Sequence, residues 1–125
     1  MIEINRLVKS FGHAFEGLEH SFKRDQNLRI HFFVGVVVVI ISILLKVNPF
    51  EMGILGIMIL LVMVTEMIIT AIERMVDLII KEHREDAKIA KDVSAGMVFL
   101  TATGSLIVGF LIFLPHVLKI LRNFK

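Results

Sequence analysis

Three long apolar blocks dominate the pattern of hydrophobic and polar positions along the chain. They run from Leu28 to Val47, from Phe50 to Ile72 and from Val93 to Leu118. A helix of about 20 apolar residues crosses the roughly 30 Å of hydrocarbon in a bilayer. We therefore predict three transmembrane helices, at about 28–47, 50–72 and 93–118. A buried soluble helical bundle is the alternative, but blocks of this length without regular polar faces argue against it.

Two features of the first block define its role. Asn48-Pro49 follows it directly, and proline disfavours helix in the residue before it, which predicts a tight turn and antiparallel first and second membrane helices. Basic residues precede the block, as in a signal peptide, but no small-residue cleavage site follows and two further apolar blocks do. We therefore interpret it as a membrane span.

The first 25 residues show a different, amphipathic pattern. Apolar side chains recur at steps of three and four, at Ile4, Leu7, Val8, Phe11, Phe15, Leu18 and Phe22. This spacing predicts a helix with one apolar face, lying in the membrane interface. Packing of that face on other protein is an alternative, and both can hold in a small chain.

The basic residues predict the orientation in the membrane, because cytoplasmic segments carry the excess of lysine and arginine. Of the 14 basic residues, ten precede the first block or lie between the second and third, and four lie on the other side: Lys46, Lys119, Arg122 and Lys125. The amino terminus and the long connection should face the cytoplasm.

Composition narrows the function classes. The 125 residues are 56% hydrophobic and 21% charged, with a net charge of +2 and no cysteine. The length suits a single domain, residues 1–125. The missing cysteines exclude disulfides, thiolate metal sites and cysteine nucleophiles. The balanced charge argues against a nucleic-acid partner.

The candidate functional residues lie mainly on the second predicted membrane helix. Glu66, Thr70, Glu73 and Asp77 are spaced by four, three and four, so the three carboxylates lie within about 20° of one stripe. Glu66 should lie just below the cytoplasmic headgroups, and the other two in water. An ionised glutamate in the bilayer costs about 2.5 kcal/mol or more, so it should be paired, protonated or functional. A structural hydrogen bond for Glu66 and a solvated helix end for the other acids are the alternatives.

Further charges belong to the same membrane face. They are Lys91 and Asp92 before the third block, Asp25 and Arg29 before the first, and Arg6 and Lys9 on the surface helix. A half-buried base with several acids and cations is what phosphoryl transfer to a lipid headgroup requires. A solvated helix entrance is the simpler interpretation of Lys91 and Asp92. No glycine-rich phosphate loop is present, which excludes the soluble kinase folds. His13 and His20 share a helix face without a third metal ligand.

Specific motifs point to a family. E-x-x-x-T-A-I-E-x-x-V-D at 66–77 followed by A-K-x-A-K-D at 87–92 resembles the small integral-membrane lipid kinases of bacteria, the prokaryotic diacylglycerol and undecaprenol kinases. The similarity runs from about Arg6 to Leu118 and includes F-x-G-L at 15–18. N-L-R-I-H at 27–31 and F-L-P at 113–115 look closer to the undecaprenol kinase branch.

The resemblance implies an all-α membrane protein, a homotrimer with one surface helix and three membrane helices per chain, in the bacterial plasma membrane. It implies ATP, Mg²⁺ and a lipid alcohol as partners, with active sites between subunits at the cytoplasmic face. Glu66 would be the catalytic base, Arg6 and Glu66 would contact the lipid, and Asp25 and Glu73 would bind the metal. The nucleotide site would include Arg6, His13, Asp25, Glu73, Asp77, Glu82, Lys91 and Asp92.

Three positions depart from the family pattern. Ile69 stands where the family has asparagine, which removes one polar contact beside the base. Asp25 replaces a glutamate and is one methylene shorter. Glu82-His83-Arg84 stands where the family has E-Y-H.

The predicted function is ATP-dependent phosphorylation of a membrane lipid alcohol, with undecaprenol first and diacylglycerol second. A catalytically inactive membrane scaffold of the same fold is the alternative that Ile69 suggests. A small proton-coupled transporter is a third hypothesis, since an intramembrane glutamate can carry protons, but the charges gather on one side of the membrane.

Overall fold

The computed structural model describes residues 1–79 and 85–125, which form four α-helices joined end to end. Helix α1 spans Ile4–Arg24, α2 Gln26–Leu44, α3 Pro49–Ile79 and α4 Glu85–Asn123. The last three are each long and apolar enough to cross a membrane. The all-helical fold class, with one amphipathic helix before three apolar ones, is therefore confirmed.

Helix α1 presents its apolar stripe outward. Ser21 is its one buried residue, and the exposed apolar side chains are Ile4, Leu7, Val8, Phe11, Phe15 and Leu18. Most of the stability of a short helix comes from burying an apolar face, so this face requires a surface to cover it. Its position in the membrane interface stays a prediction.

The joint between α1 and α2 is a single extended residue, Asp25. Its backbone N–H donates to the Ser21 carbonyl at 2.8 Å, at the end of α1. Its carboxylate oxygen Oδ1 accepts from the Leu28 N–H at 3.1 Å, which caps the first turn of α2. One residue thus ends one helix and begins the next, and its side chain is held in place by the backbone of α2.

Arg29 fixes the angle of the same joint from the other side. Its guanidinium donates to the carbonyls of Phe22 at 3.0 Å and Lys23 at 2.8 Å, which are among the orphan acceptors at the end of α1. The rings of Phe22 and Phe32 also meet edge to face, with centroids 5.3 Å apart. These contacts place the amino-terminal end of α2 beside the last turn of α1.

The turn between α2 and α3 occupies residues 45–48, and Pro49 begins α3 rather than lying in the turn. Asn48 caps the new helix: its side-chain oxygen accepts from the Glu51 N–H at 2.8 Å, and its amide donates to the Glu51 carboxylate at 2.6 Å. Proline suits the first helical position because its missing N–H would have no partner there. Lys46, at φ 55°, supplies the left-handed step that reverses the chain.

Helices α3 and α4 extend beyond the predicted apolar blocks. α3 continues from Ile72 to Ile79, and α4 begins at Glu85 instead of Val93. The 31 residues of α3 at 1.5 Å each make a rod of about 46 Å, longer than the roughly 30 Å of bilayer hydrocarbon. Glu73 and Asp77 on its last turns are exposed, and the position of these turns outside the apolar layer stays a prediction.

The apolar surface of the bundle is mostly uncovered. The buried apolar residues are few, namely Leu28, Leu55, Val62, Ile69 and Ile112, while the other apolar side chains of α2, α3 and α4 are largely exposed. Water-soluble proteins rarely expose continuous apolar patches of this extent, whereas lipid covers them at no cost. The exposure favours the membrane protein over the soluble bundle.

Helices α2 and α3 approach closely at one glycine. A Cβ atom added to Gly35 would lie 2.7 Å from the Cγ2 methyl of Ile59, and Gly35 is buried. Small residues permit this approach between membrane helices, where backbone contact and dispersion provide much of the packing energy. Gly35 therefore sets the distance between the two helices.

We expect the Gly35→Ala variant to lose about 1 to 3 kcal/mol of unfolding free energy, because the β-branched Ile59 side chain cannot move aside without repacking. Unfolding in detergent micelles measures the loss. Gly12→Ala is the matched control, since a Cβ there meets open space. In the Ile59→Ala background, Gly35→Ala should cost little further unfolding free energy, because the methyl group that the new Cβ meets is gone. An equal loss in the wild-type and Ile59→Ala backgrounds would contradict the contact between Gly35 and Ile59.

Candidate functional site

A cavity of about 550 Å³ opens where α2 begins, beside the second half of α3 and the first turns of α4. Its lining combines acids, cations and amides with a small apolar floor. The lining residues are Arg24, Asp25, Gln26, Asn27, Glu66, Ile69, Thr70, Glu73, Arg74, Asp77, Ala95 and Val98. The size suits a small polar ligand.

The acidic stripe of α3 forms one wall of this cavity. Glu66, Thr70, Glu73 and Asp77 all line it, because residues three and four apart share one face of a helix. Glu66 is 5% exposed, whereas Glu73 and Asp77 are exposed. The stripe therefore passes from a buried carboxylate at the bottom to solvated carboxylates at the rim, as its position in the sequence predicts.

Asp25 joins this stripe from α2. The Thr70 hydroxyl donates to its Oδ2 oxygen at 2.6 Å, and the same hydroxyl lies 3.1 Å from the Glu66 carbonyl of its own helix. Thr70 therefore bonds both back to its own helix and across to the joint between α1 and α2. This contact ties the start of α2 to α3 and brings Asp25 to the same wall as Glu73.

Glu66 is approached from α2 by two side chains to which the sequence motifs assign no role. The Nε2 atom of His31 lies 3.8 Å from the Glu66 Oε2, with the His31 side chain 26% exposed. Asn27, one turn before His31 on α2, lines the same cavity as Glu66. The four-residue spacing of Asn27 and His31 is the signal in the sequence that places them on one face of α2.

Ile69 lies one turn from Glu66 and is buried, 7% exposed, in the lining of the cavity. Its side chain has no hydrogen-bonding group, so this part of the wall is apolar. The departure from the family motif therefore lies beside the buried carboxylate.

Lys91 and Asp77 form an ion pair across the rim. Their side chains meet at 2.8 Å and link the first turns of α4 to the last turns of α3. Asp92 points elsewhere, toward Lys88 at 3.8 Å, and both of those side chains are exposed. The structure thus brings Lys91 to the acidic stripe and leaves Asp92 out of the cavity lining.

The remaining predicted site residues lie outside the cavity. Arg6 and His13 are exposed on α1, and His13 pairs with Glu16 at 3.6 Å. Glu82 falls in residues 80–84, outside the described part of the chain. Two cations of the lining, Arg24 and Arg74, count toward membrane orientation in the sequence but carry no assigned role there. Their adjacency to Asp25 and Glu73 is the signal that could have found them.

The carboxylates of the cavity suit a hard divalent cation. Asp25 and Glu73 share one wall, and the Asp25 carboxylate keeps free lone pairs beside the two that its protein donors occupy. Residues 1–79 and 85–125 contain no cluster of three potential metal ligands. Mg²⁺ requires fewer, since one or two carboxylates with nucleotide phosphates complete its shell. The residues therefore fit a magnesium ion that arrives with a phosphorylated ligand.

Comparison with known proteins gives consistent results. The family model described as prokaryotic diacylglycerol kinase matches residues 12–113. The diacylglycerol kinase of Synechocystis is 39% identical over 116 residues, 92% of this chain and 66% of that protein. The undecaprenol kinase of Bacillus subtilis is 39% identical over 113 residues, 90% of this chain and 92% of that protein. The diacylglycerol kinase of Escherichia coli is 26% identical over 111 residues, 89% of this chain and 91% of that protein.

We expect the Thr70→Val variant to lose about 1.5 to 3 kcal/mol of unfolding free energy, because it removes a hydroxyl that donates to the Asp25 carboxylate. Unfolding in detergent micelles measures the loss. Thr70→Ser keeps the hydroxyl and serves as the control. A Thr70→Val variant as stable as the wild type would show that the hydrogen bond does not contribute at this position.

Proposed function

This chain belongs to the prokaryotic diacylglycerol kinase family, and on that basis we propose that it transfers the γ-phosphoryl group of ATP to the hydroxyl of a membrane lipid. One observation carries the proposal: a carboxylate buried in an apolar helix opens into a cavity whose rim holds carboxylates and cations. A lipid hydroxyl and a nucleotide phosphate can meet only where apolar and aqueous phases adjoin. The cavity has this character.

Glu66 is the proposed catalytic base. It lies below the exposed acids of α3, so its carboxylate can accept the proton of a lipid hydroxyl that attacks the γ-phosphorus. A positioned general base contributes about 100-fold to 10,000-fold in rate. Its burial excludes water, which would otherwise compete with the lipid as phosphoryl acceptor.

The rim supplies the phosphate-binding groups. Arg24 and Arg74 line the cavity, and Lys91 reaches the same wall through Asp77. Asp25 and Glu73 would hold a magnesium ion, which when bound neutralises charge on the nucleotide phosphates. Phosphoryl transfer depends mainly on positioning and charge stabilisation, and these residues provide both at one end of the bundle.

Undecaprenol is the proposed first substrate and diacylglycerol the second. The N-L-R-I-H and F-L-P segments are similar to the undecaprenol kinase branch, and the aligned region covers 92% of the Bacillus subtilis undecaprenol kinase against 66% of the Synechocystis diacylglycerol kinase. Identity itself is 39% with each, so the two lipids form the central comparison of the assay.

The proposal includes the orientation of the chain in the membrane and its assembly into a homotrimer. The excess of basic residues before α2 and between α3 and α4 supports a cytoplasmic amino terminus in the plasma membrane. A homotrimer is supported by family membership and by the uncovered faces of the bundle. Arg6, His13 and Asp92 lie outside their own chain's cavity, so we assign any contact they make with nucleotide to the assembled trimer.

The decisive experiment measures phosphate transfer from labelled ATP in mixed micelles with Mg²⁺, using undecaprenol and diacylglycerol in separate reactions. We expect product with both lipids and a higher rate with undecaprenol, for the reasons of similarity given above. A higher rate with diacylglycerol would reverse the substrate order. The absence of product in both reactions, from folded protein, would favour the inactive scaffold that Ile69 suggests.

We expect Glu66→Gln to lower kcat about 100-fold or more, because the amide cannot accept the lipid proton. The KM for ATP should change little, since the phosphate-binding groups lie nearer the rim. Glu51→Gln is the matched control: Glu51 is a half-buried carboxylate of α3 that contacts His116 at 3.3 Å at the opposite end of the helix. A Glu66→Gln variant that retains the wild-type rate would remove Glu66 from the mechanism.

A further inference from the structure

Glu66 lacks a hydrogen-bonding side chain on its own helix. The helix neighbours that share its face are Val62, Met63, Ile69 and Thr70. The first three are apolar, and the Thr70 hydroxyl is engaged by Asp25 Oδ2 and the Glu66 backbone carbonyl. A buried carboxylate without donors is costly, so the donors for this carboxylate must come from another helix.

Helix α2 brings two polar side chains to this region. Asn27 lines the same cavity as Glu66, and one turn further along α2 the Nε2 atom of His31 is 3.8 Å from the Glu66 Oε2. The separation is longer than a hydrogen bond, and catalytic contacts of this kind often shorten when substrate binds. Residues four apart share one face of a helix, so Asn27 and His31 lie on the face of α2 that is turned toward Glu66.

The first half of α2 is itself firmly held against α3. Leu28, between Asn27 and His31, is 0% exposed. Asp25 is bonded to Thr70 at 2.6 Å, and Gly35 contacts Ile59. Asn27 and His31 therefore lie on a segment anchored on both sides, which is the condition for positioning a reactive group accurately.

We propose that Asn27 and His31 are positioning residues for Glu66, and that they hold its carboxylate toward the cavity in a chain where position 69 offers no polar group. The inference rests on the proposed role of Glu66 as base. In this proposal both side chains act through Glu66. The polar side chains that position Glu66 come from α2, across the α2–α3 interface. A polar residue at position 69 would have provided such a side chain from α3 itself.

The test separates positioning from nucleotide binding. We expect Asn27→Ala and His31→Leu each to lower kcat by about 10-fold to 100-fold, the usual effect of removing a supporting hydrogen-bonding partner. The KM for ATP should stay within about twofold of the wild type, because loss of orientation acts on the chemical step. His31→Gln keeps an N–H at similar reach, so it should recover most of the rate that His31→Leu loses.

Position 69 provides the second, independent measurement. Ile69→Asn places an amide one turn from Glu66 on its own helix. We expect this substitution to raise kcat by a larger factor in the Asn27→Ala background than in the wild type, since only the former has lost its amide. Equal factors in the two backgrounds would show that position 69 and Asn27 do not serve the same carboxylate, and would overturn the proposed compensation.

The controls distinguish failure of this inference from failure of the function. Ser42→Ala removes a buried α2 hydroxyl that bonds to the Val38 carbonyl, outside the cavity lining, and should leave kcat unchanged. Unfolding in detergent confirms that each variant folds. A wild-type protein without lipid kinase activity would refute the proposed function. An active wild type whose Asn27 and His31 variants keep their kcat, or change only the KM for ATP, would refute the positioning role.

Discussion

The buried carboxylate of Glu66 is the constraint on which the polar structure of this chain depends. An apolar helix can carry such a group only if donors reach it, and the residues that surround it all lie at one end of the bundle. Thr70 donates to Asp25, Asp25 caps α2, and α2 in turn brings His31 to within 3.8 Å of Glu66. The local capping of one helix and the environment of the reactive group are thus one connected arrangement.

Because α3 is continuous, the buried and the exposed acids of the site lie in a fixed order along one helix. A single unbroken helix carries a buried acid in its apolar part and two exposed acids on the same face above it. No loop intervenes, so the vertical spacing between Glu66 and the rim is fixed by helix geometry. Lys91 braces the upper end of this helix against α4 through Asp77. The proposed base and the carboxylates at the rim therefore keep a constant separation.

Much of the fold could be predicted from the sequence because apolar length and helical period are local properties. The three apolar helices, the amphipathic α1 and the shared face of Glu66, Glu73 and Asp77 are found where the pattern indicates, and family membership confirms the resemblance of the E-x-x-x-T-A-I-E motif. The helix ends were less predictable: residues 73–79 and 85–92 are helical although they lie outside the apolar blocks, because apolar content marks the membrane layer and not the helix boundary.

The missed features depend on how helices face one another. The motif N-L-R-I-H contains Asn27 and His31, but their approach to Glu66 depends on the rotation of α2 about its axis, which side-chain period alone does not specify. Arg24 and Arg74 were likewise visible only as charges: Arg24 enters the cavity at the Asp25 joint, and Arg74 enters it from α3 beside Glu73. The predicted roles of Arg6, His13 and Asp92 require groups beyond one chain's cavity, and Glu82 lies outside the described residues.

The close approach at Gly35 limits the path by which a lipid tail can lie against this protein. Gly35 meets Ile59 two turns from Glu66 along α3, on the side away from the rim. A hydrocarbon chain about 4 Å thick cannot pass through a seam where one added methyl group would already clash. The seam between α2 and α3 is therefore a closed wall at Gly35, and a lipid tail can lie only along other surfaces of the bundle.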